Sequence, residues 1–418
     1  MFNEDKKTKI AYIGFIWHSF FLALTMSMLD LNTVFPALVS ELTKSKTLFG
    51  LLYSIMLGVP LVFNLLFSYY LKTKTHKKKY LLFGIYLRAI SFLGMAIFTY
   101  IFGLSSPTLA FASFFLWIFI FSISGGIAGI SYSDITAKTI PAPKRTNLYI
   151  VKQFFSSIAA FIGGIAVSKI FSHGNLEYPV NYSLSLFIGF IGLLIASIGF
   201  LVISEPESKK NTDKKGTFAD HLKKVPEIIK SDYVFRRYII VENMASFSIM
   251  ILPFYIIFAK EIFNIDNSYI GRYLIFQVTG TISSTIIWWF IAKKVNAKAI
   301  VRICIVIGGI IPLVAIGLSF LGPDYFSIIF LLLGFVISGR RVGFDPYLLD
   351  ITPEKNRTEY LGIRGTLNIF IVILPILGGI FIETLGYYFT FCLVSAVMLF
   401  ASTLLKPRSR SLHIKNEK

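Results

Sequence analysis

Charge, cysteine and long hydrophilic stretches are what this sequence has little of. Only 15% of its 418 residues are charged, against about 25% in ordinary soluble domains. So little charge cannot cover a water-facing surface, and most of the chain therefore belongs in lipid. The two cysteines, Cys304 and Cys392, both lie inside apolar runs. They exclude a disulfide framework and a cysteine-based metal centre, and are expected to be packing residues. There is no phosphate loop, zinc-ligand spacing or nucleophile triad, so neither an enzyme nor a cofactor is expected. Acidic residues are scarce beside basic ones, 22 against 41, for a formal net charge of +19. In a soluble protein this excess would suggest nucleic acid. Here Lys and Arg fall in short segments between apolar runs, where they report topology instead.

What is present is hydrophobic: 55% of residues, with a mean hydropathy of +0.71. Runs of spanning length fall near 11–36, 48–71, 80–103, 108–133, 147–171 and 182–203. Six more follow near 237–260, 269–292, 299–321, 325–349, 360–383 and 386–405. At about 20 residues per crossing this is an all-α integral membrane protein with twelve transmembrane helices. The first run is too long for the apolar core of a signal peptide and reads as an uncleaved span. Basic residues mark alternate connections: Lys6, Lys7 and Lys9; the LKTKTHKKKY segment; Lys138, Lys144 and Arg145; Lys293, Lys294, Lys298 and Arg302; and the C-terminal tail. Lys44, Lys46 and Lys260, beside Glu261, are the exceptions. The bias places both termini in the cytoplasm. The expected setting is the inner membrane of a prokaryote, with the lipid bilayer as partner, no nucleic acid, and a monomer.

One long hydrophilic stretch, near 204–237, divides the spans into six and six. The expected organisation is a first bundle over 1–204, a linker over 205–236 and a second bundle with its tail over 237–418. Within the linker, Phe218, Leu222, Val225, Ile228 and Ile229 recur at helical spacing, which predicts a short amphipathic helix on the membrane surface.

The two halves share a motif. Tyr132–Lys152 reads YSDITAKTIPAPKRTNLYIVK and Tyr347–Arg364 reads YLLDITPEKNRTEYLGIR. Each has a Tyr, then Asp-Ile-Thr (Asp134, Asp350), a Pro, an Arg-Thr pair four residues on (Arg145, Arg357) and a basic residue seven further (Lys152, Arg364). Each copy lies between the fourth and fifth spans of its half and precedes a Gly-Gly pair. Two six-span repeats make two pseudo-symmetric bundles. In this layout the chain resembles the major facilitator superfamily over nearly its whole length. The basic connections after spans 2 and 8, and the acidic-then-Arg signal after spans 4 and 10, belong to the resemblance. The connection after span 2 keeps the family's position and positive charge but lacks its Gly and acidic residue. The resemblance implies a secondary transporter that moves a small organic solute by alternating access, driven by a gradient; the intramembrane His18 and Glu242 add the expectation of proton coupling, and the basic set Arg88, Lys152, Arg340, Arg341 and Arg364 that of an organic anion as the first choice of solute. A proton-driven drug antiporter is the alternative, followed by a lipid flippase or a non-transporting receptor or enzyme.

Ionic side chains inside a bilayer are costly, so those present usually face a partner or a wet cavity. The candidate substrate-binding residues are His18, Asp30, Asn32, Arg88, Gln153, Glu242, Asn243, Gln277, Arg340, Arg341 and Asn368. Counting the helical rise, His18 and Glu242 lie about 10 Å inside the cytoplasmic ends of the pseudo-equivalent spans 1 and 7, where they are expected to meet across a central cavity. Asp30 and Asn32 lie near the outer mouth. Glu242, His18 and Asp30 are the proton-coupling candidates, because burial moves the protonation of a carboxyl or imidazole group. Arg340 and Arg341 are adjacent, so at most one points into the cavity. Asp134, Arg145, Lys152, Asp350, Arg357 and Arg364 form the expected cytoplasmic gate, in which Lys152 and Arg364 pair with Asp134 or Asp350. Trp288–Trp289 and Tyr387–Tyr388 are expected to be interfacial anchors.

Overall fold

The computed structural model describes residues 2–72, 74–172, 174, 176–207, 218–353 and 357–405. The first half comprises α1 (Phe2–Met28), α2 (Val34–Leu42), α3 (Lys46–Lys72), α4 (Lys78–Phe102), α5 (Pro107–Thr139), α6 (Ala142–Ser172) and α7 (Val180–Leu201). A linker helix, α8 (Phe218–Ser231), follows. The second half comprises α9 (Tyr233–Ala245), α10 (Ser248–Ile251), α11 (Phe254–Phe263), α12 (Ser268–Ala292), α13 (Ala297–Leu318), α14 (Pro323–Ile351), α15 (Arg357–Leu367), a 3-10 segment (Asn368–Ile373) and α16 (Leu374–Thr403).

Among the described residues, eleven helices are long and apolar enough to cross a membrane, and the last of them, Tyr360–Thr403, has 44 residues. That length would extend about 66 Å, twice the roughly 30 Å of a hydrocarbon core. Gly386 divides it, with a φ of 82° that no L side chain adopts easily. The two arms on either side of Gly386 fit the eleventh and twelfth of the expected runs. The helices are apolar on the outside as well as inside: Ile90, Phe154, Ile286, Phe290 and Phe400 are exposed, as lipid-facing surfaces require.

Spans 1 and 7 are broken into separate helices, and span 11 passes through a 3-10 segment, Asn368–Ile373. α1 stops at Met28 and resumes as α2 at Val34, while span 7 is cut into α9, α10 and α11. Asp232 starts α9: its carboxylate accepts the Phe235 N–H at 2.9 Å, and its other oxygen accepts the Tyr360 hydroxyl of α15 at 3.0 Å. Val225, Ile228 and Ile229 of α8 pack against the core. Cys304 is buried but Cys392 is exposed on the apolar exterior, not packed. The paired aromatics divide similarly. Trp288 is fully buried and donates to the Phe335 carbonyl at 3.1 Å, whereas Trp289 is exposed. Neighbours on a helix point about 100° apart, so one of each pair turns into the bundle.

The halves meet most closely at the end opposite the basic connections. Lys260 pairs with Glu41 at 2.5 Å and Lys46 with Glu261 at 3.0 Å, two ion pairs that cross the interface in opposite senses. Thr47 donates to Glu383, and the Tyr182 hydroxyl donates to Asn267 at 3.2 Å. Two of the three basic residues that break the topological charge bias, Lys46 and Lys260, are thus ones that join the halves. Backbones also touch here: a Cβ at Gly271 would lie 2.2 Å from Ser168 Cα, and one at Gly379 2.2 Å from the Lys46 carbonyl oxygen.

Glu41→Lys or Lys260→Glu alone should lower thermal stability, and the double exchange should recover most of the loss. A double-mutant cycle on detergent-solubilised protein should give a coupling of about 1 kcal/mol; purely additive losses would show that the pair does not join the halves.

Candidate functional site

The break in span 1 builds one wall of a central cavity. Asp30 follows the end of α1, and its carboxylate accepts the Asn32 N–H at 3.0 Å and the Thr33 hydroxyl at 2.9 Å, which holds the chain in a turn. Its second oxygen accepts from Gln277 Nε2 of α12 at 3.1 Å, a hydrogen bond between the halves. Asp30, Asn32, Gln153, Gln277 and Arg341 come together around a space of about 390 Å³, with Ser27, Ser156 and Thr281 adding hydroxyls and Met26, Val278 and Ile337 apolar wall. One acid and one base leave this cavity polar and close to neutral. Gln277 Oε1 is buried without a partner in the protein, an acceptor of hydrogen bonds facing polar surroundings.

Arg341 reaches this cavity and its neighbour does not. Arg340 turns into its own bundle, donating to the Ala245 carbonyl at 3.1 Å and to Ser246 Oγ at 3.2 Å, with the Phe344 ring beneath it. It thereby satisfies a carbonyl freed where span 7 breaks.

His18, Arg88 and Lys152 line a different cavity, of about 260 Å³, inside the first bundle among α1, α4, α5, α6 and α7. His18 is buried, its Nδ1 3.3 Å from the Ala196 carbonyl and its ring against Phe200. Arg88 donates to Ser124 Oγ at 3.1 Å and lies over the Phe121 ring. Lys152 donates to the Tyr132 hydroxyl.

Glu242 sits in the second bundle, buried, and Arg364 of α15 grips it: Nε lies 2.9 and 3.0 Å from the two carboxylate oxygens and Nη2 2.5 Å from one. The same guanidinium reaches Asp345 at 2.9 Å. Such fork-to-carboxylate contact is the strongest ion-pair geometry available to a side chain. Asn243 Nδ2 bonds Asn368 Oδ1 at 3.2 Å, at the start of the 3-10 segment. His18 and Glu242 therefore do not meet; each is held inside its own bundle.

The motif residues also take partners other than those expected. Asp134 binds Lys77 and Lys138, each at 2.6 Å, while Lys152 turns to Tyr132 and Arg364 to Glu242. Lys138 is one helical turn from Asp134 and wins by proximity. Arg145 donates to the Ile140 and Ala137 carbonyls at 2.9 and 2.7 Å, closing the C-terminal end of α5. Asp350 lies exposed near the end of α14, and the side chain of Arg357 lies outside the described residues.

Sequence reasoning missed Glu205 and Asp345. Glu205 accepts the N–H groups of Lys77 and Lys78 at 2.7 to 2.9 Å and Lys138 at 2.7 Å, so it latches the connection after span 2 from the start of the linker. This substitutes for the acidic residue that the connection itself lacks. Asp345 was signalled by a longer repeat: Ser124-Gly125 with Gly129, and Ser338-Gly339 with Gly343, precede the two motif copies. The added stretch, 124–131 in the first half and 338–346 in the second, contains an acidic residue in the second half alone.

A model of the Major Facilitator Superfamily matches residues 16–339 and again 238–418. Among curated proteins, none matches. Among solved structures, the nucleoside transporter NupG is similar with a TM-score of 0.73 at 14% identity, covering 94% of this chain and 98% of the other. A POT family transporter in complex with 5-aminolevulinic acid gives 0.68 at 13% identity, covering 95% of each. A D-xylose-proton symporter gives 0.64 at 16% identity, covering 95% and 96%. At these identities the likeness establishes the fold. With the family model spanning both halves, the chain belongs to the Major Facilitator Superfamily and is a multi-pass membrane protein.

Proposed function

We propose that the chain is a secondary transporter that carries a small organic solute through the cavity lined by Asp30, Gln153, Gln277 and Arg341, with Glu242 as its protonation site. The observation that carries this reading is the position of that cavity: it lies between the halves, and the tightest contacts joining them lie to one side of it. With the basic connections in the cytoplasm, the side held by Glu41–Lys260 and Lys46–Glu261 is the outer one, and the conformer is closed outward. Rocking of one half against the other then exchanges these contacts for a closure at the cytoplasmic ends, where Asp134, Arg145, Lys152, Asp350, Arg357 and Arg364 lie on or near α5, α6, α14 and α15.

Glu242 suits proton coupling because its charge is held by a residue of a helix that can deform. A proton on Glu242 removes the charge that grips Arg364. The guanidinium then retains Asp345, and span 11 loses its ion pair to span 7, leaving the Asn243–Asn368 and Asp232–Tyr360 hydrogen bonds as side-chain links between them. A protonated carboxyl leaves Arg364 short of a counter-charge, which favours a rearrangement around it. The D-xylose-proton symporter among the similar structures is itself, by name, proton-coupled. The chain works in the inner membrane of a prokaryote, as a monomer, with both termini inside.

Glu242→Gln should abolish proton-driven uptake in proteoliposomes while solute counterflow persists; a variant whose transport keeps the wild-type dependence on pH would remove Glu242 from the coupling step. A Leu at Gly379 cannot fit against the Lys46 carbonyl and should drive the halves apart on the outer side. In protein with Cys304 and Cys392 changed to Ser and Asn32→Cys added, Gly379→Leu should speed labelling by an impermeant maleimide from outside. Equal labelling rates with and without it would contradict the assigned sidedness.

A further inference from the structure

We propose that the cavity inside the first bundle is a binding site for a small oxyanion, a carboxylate or phosphate group, held by Arg88 and Lys152 with His18 beside them. As an assignment of substrate class it rests on the transport reading above; as a binding site it stands on its own geometry.

The cavity carries three basic side chains, and among the described residues that line it none is acidic. Two cations enclosed by apolar helices without an acid are an expensive arrangement, which an anion relieves. Neither cation is saturated. Of the five N–H groups of a guanidinium, Arg88 spends one on Ser124, and its contact with the Phe121 face leaves the edge free. Lys152 has three donors and gives one to Tyr132; the Tyr132 and Tyr149 rings at 4.6 and 5.0 Å offer it π faces but no counter-charge.

The other half shows what such a seat holds. Arg364 is the repeat partner of Lys152, and span 7, which carries Glu242, is the repeat partner of span 1, which carries His18. In the second bundle the basic residue is bound by the carboxylates of Glu242 and Asp345. In the first bundle His18 occupies span 1 at the comparable depth, and the extended motif has no counterpart of Asp345. The seat is built twice, and only the second copy contains its own anion.

There is room for one from outside. A Cβ on Gly129 would meet nothing within 4 Å, and one on Gly125 would come 3.1 Å from Arg88 Nη2, so the glycines on α5 leave space directly before the guanidinium. The volume, about 260 Å³, is below the roughly 300 Å³ at which pockets for drug-sized ligands begin, and so selects a small molecule. The cavity also adjoins the central one. On α1, residues 18, 19 and 22 line it and residues 23, 26 and 27 line the other; on α6, Lys152 faces it and Gln153 the other. An anion here lies next to the central cavity, toward the basic end.

The test is thermal unfolding of the purified full-length protein at constant ionic strength with succinate, with inorganic phosphate, and with phosphatidylglycerol in mixed micelles. The three probes distinguish a soluble carboxylate, a soluble phosphate and a lipid headgroup. At least one should raise the melting temperature by binding the folded state. Its affinity should fall about tenfold or more in Arg88→Gln and in Lys152→Gln, the loss expected for one charge-assisted hydrogen bond. Gly129→Leu fills the space while improving a helix position, so it should stay folded and lose the response altogether. A wild type that responds to none of the probes overturns the proposal, as does a response undiminished in all three variants. Anion binding that survives while reconstituted protein moves no solute would overturn the transport reading and leave this one intact.

Discussion

An ionic group enclosed by membrane helices has no bulk water to stabilise it, so its position is set by whatever counter-charge or dipole lies within reach. This constraint organises the interior of the protein. Glu242 is gripped by Arg364, which also holds Asp345. Arg340 finds the carbonyl exposed by the break in span 7, and Asp30 is held by the turn it nucleates and by Gln277 across the interface. The breaks in spans 1 and 7 thus serve the charges as much as the charges serve the breaks, since irregular backbone at membrane depth also needs polar partners.

Pseudo-symmetry makes the differences between the halves informative. The same scaffold, a motif helix crossing beside a broken first span, holds two carboxylates and a guanidinium on one side and an imidazole, an ammonium and a guanidinium on the other. A bundle whose cation is internally neutralised is mechanically tied: span 7 cannot leave span 11 without separating opposite charges. In the first bundle spans 1 and 5 share, among the described residues, only the exposed Lys144–Asp5 ion pair, and around the cavity the helices are joined by glycine contacts, hydroxyls and aromatic edges.

Spans and bundles were legible because the hydropathy of a crossing is written along one continuous segment, and so was the motif at Asp134 and Asp350. Partner choice was not. Asp134 has Lys77, Lys138 and Lys152 available in the sequence, and only the geometry of α4, α5 and α6 decides that the first two win. The linker start hid Glu205, because a carboxylate in a hydrophilic stretch looks solvated until the helix it caps is seen beside it. The meeting expected of His18 and Glu242 failed for a related reason: depth along a helix is readable from residue number, but azimuth around it is not when both faces are apolar. The same ambiguity concealed that Trp288 turns inward while Trp289 turns outward.

The double use of Asp232 has a mechanical corollary. One oxygen fixes the first turn of α9 and the other is tied to Tyr360 on α15, while the preceding helix α8 rests on the same packing. Helix α8, span 7 and span 11 therefore share a single anchoring residue. A tilt of α15 has to strain the contact that starts α9, so the linker helix is coupled to the entrance of span 7 at a point remote from the central cavity.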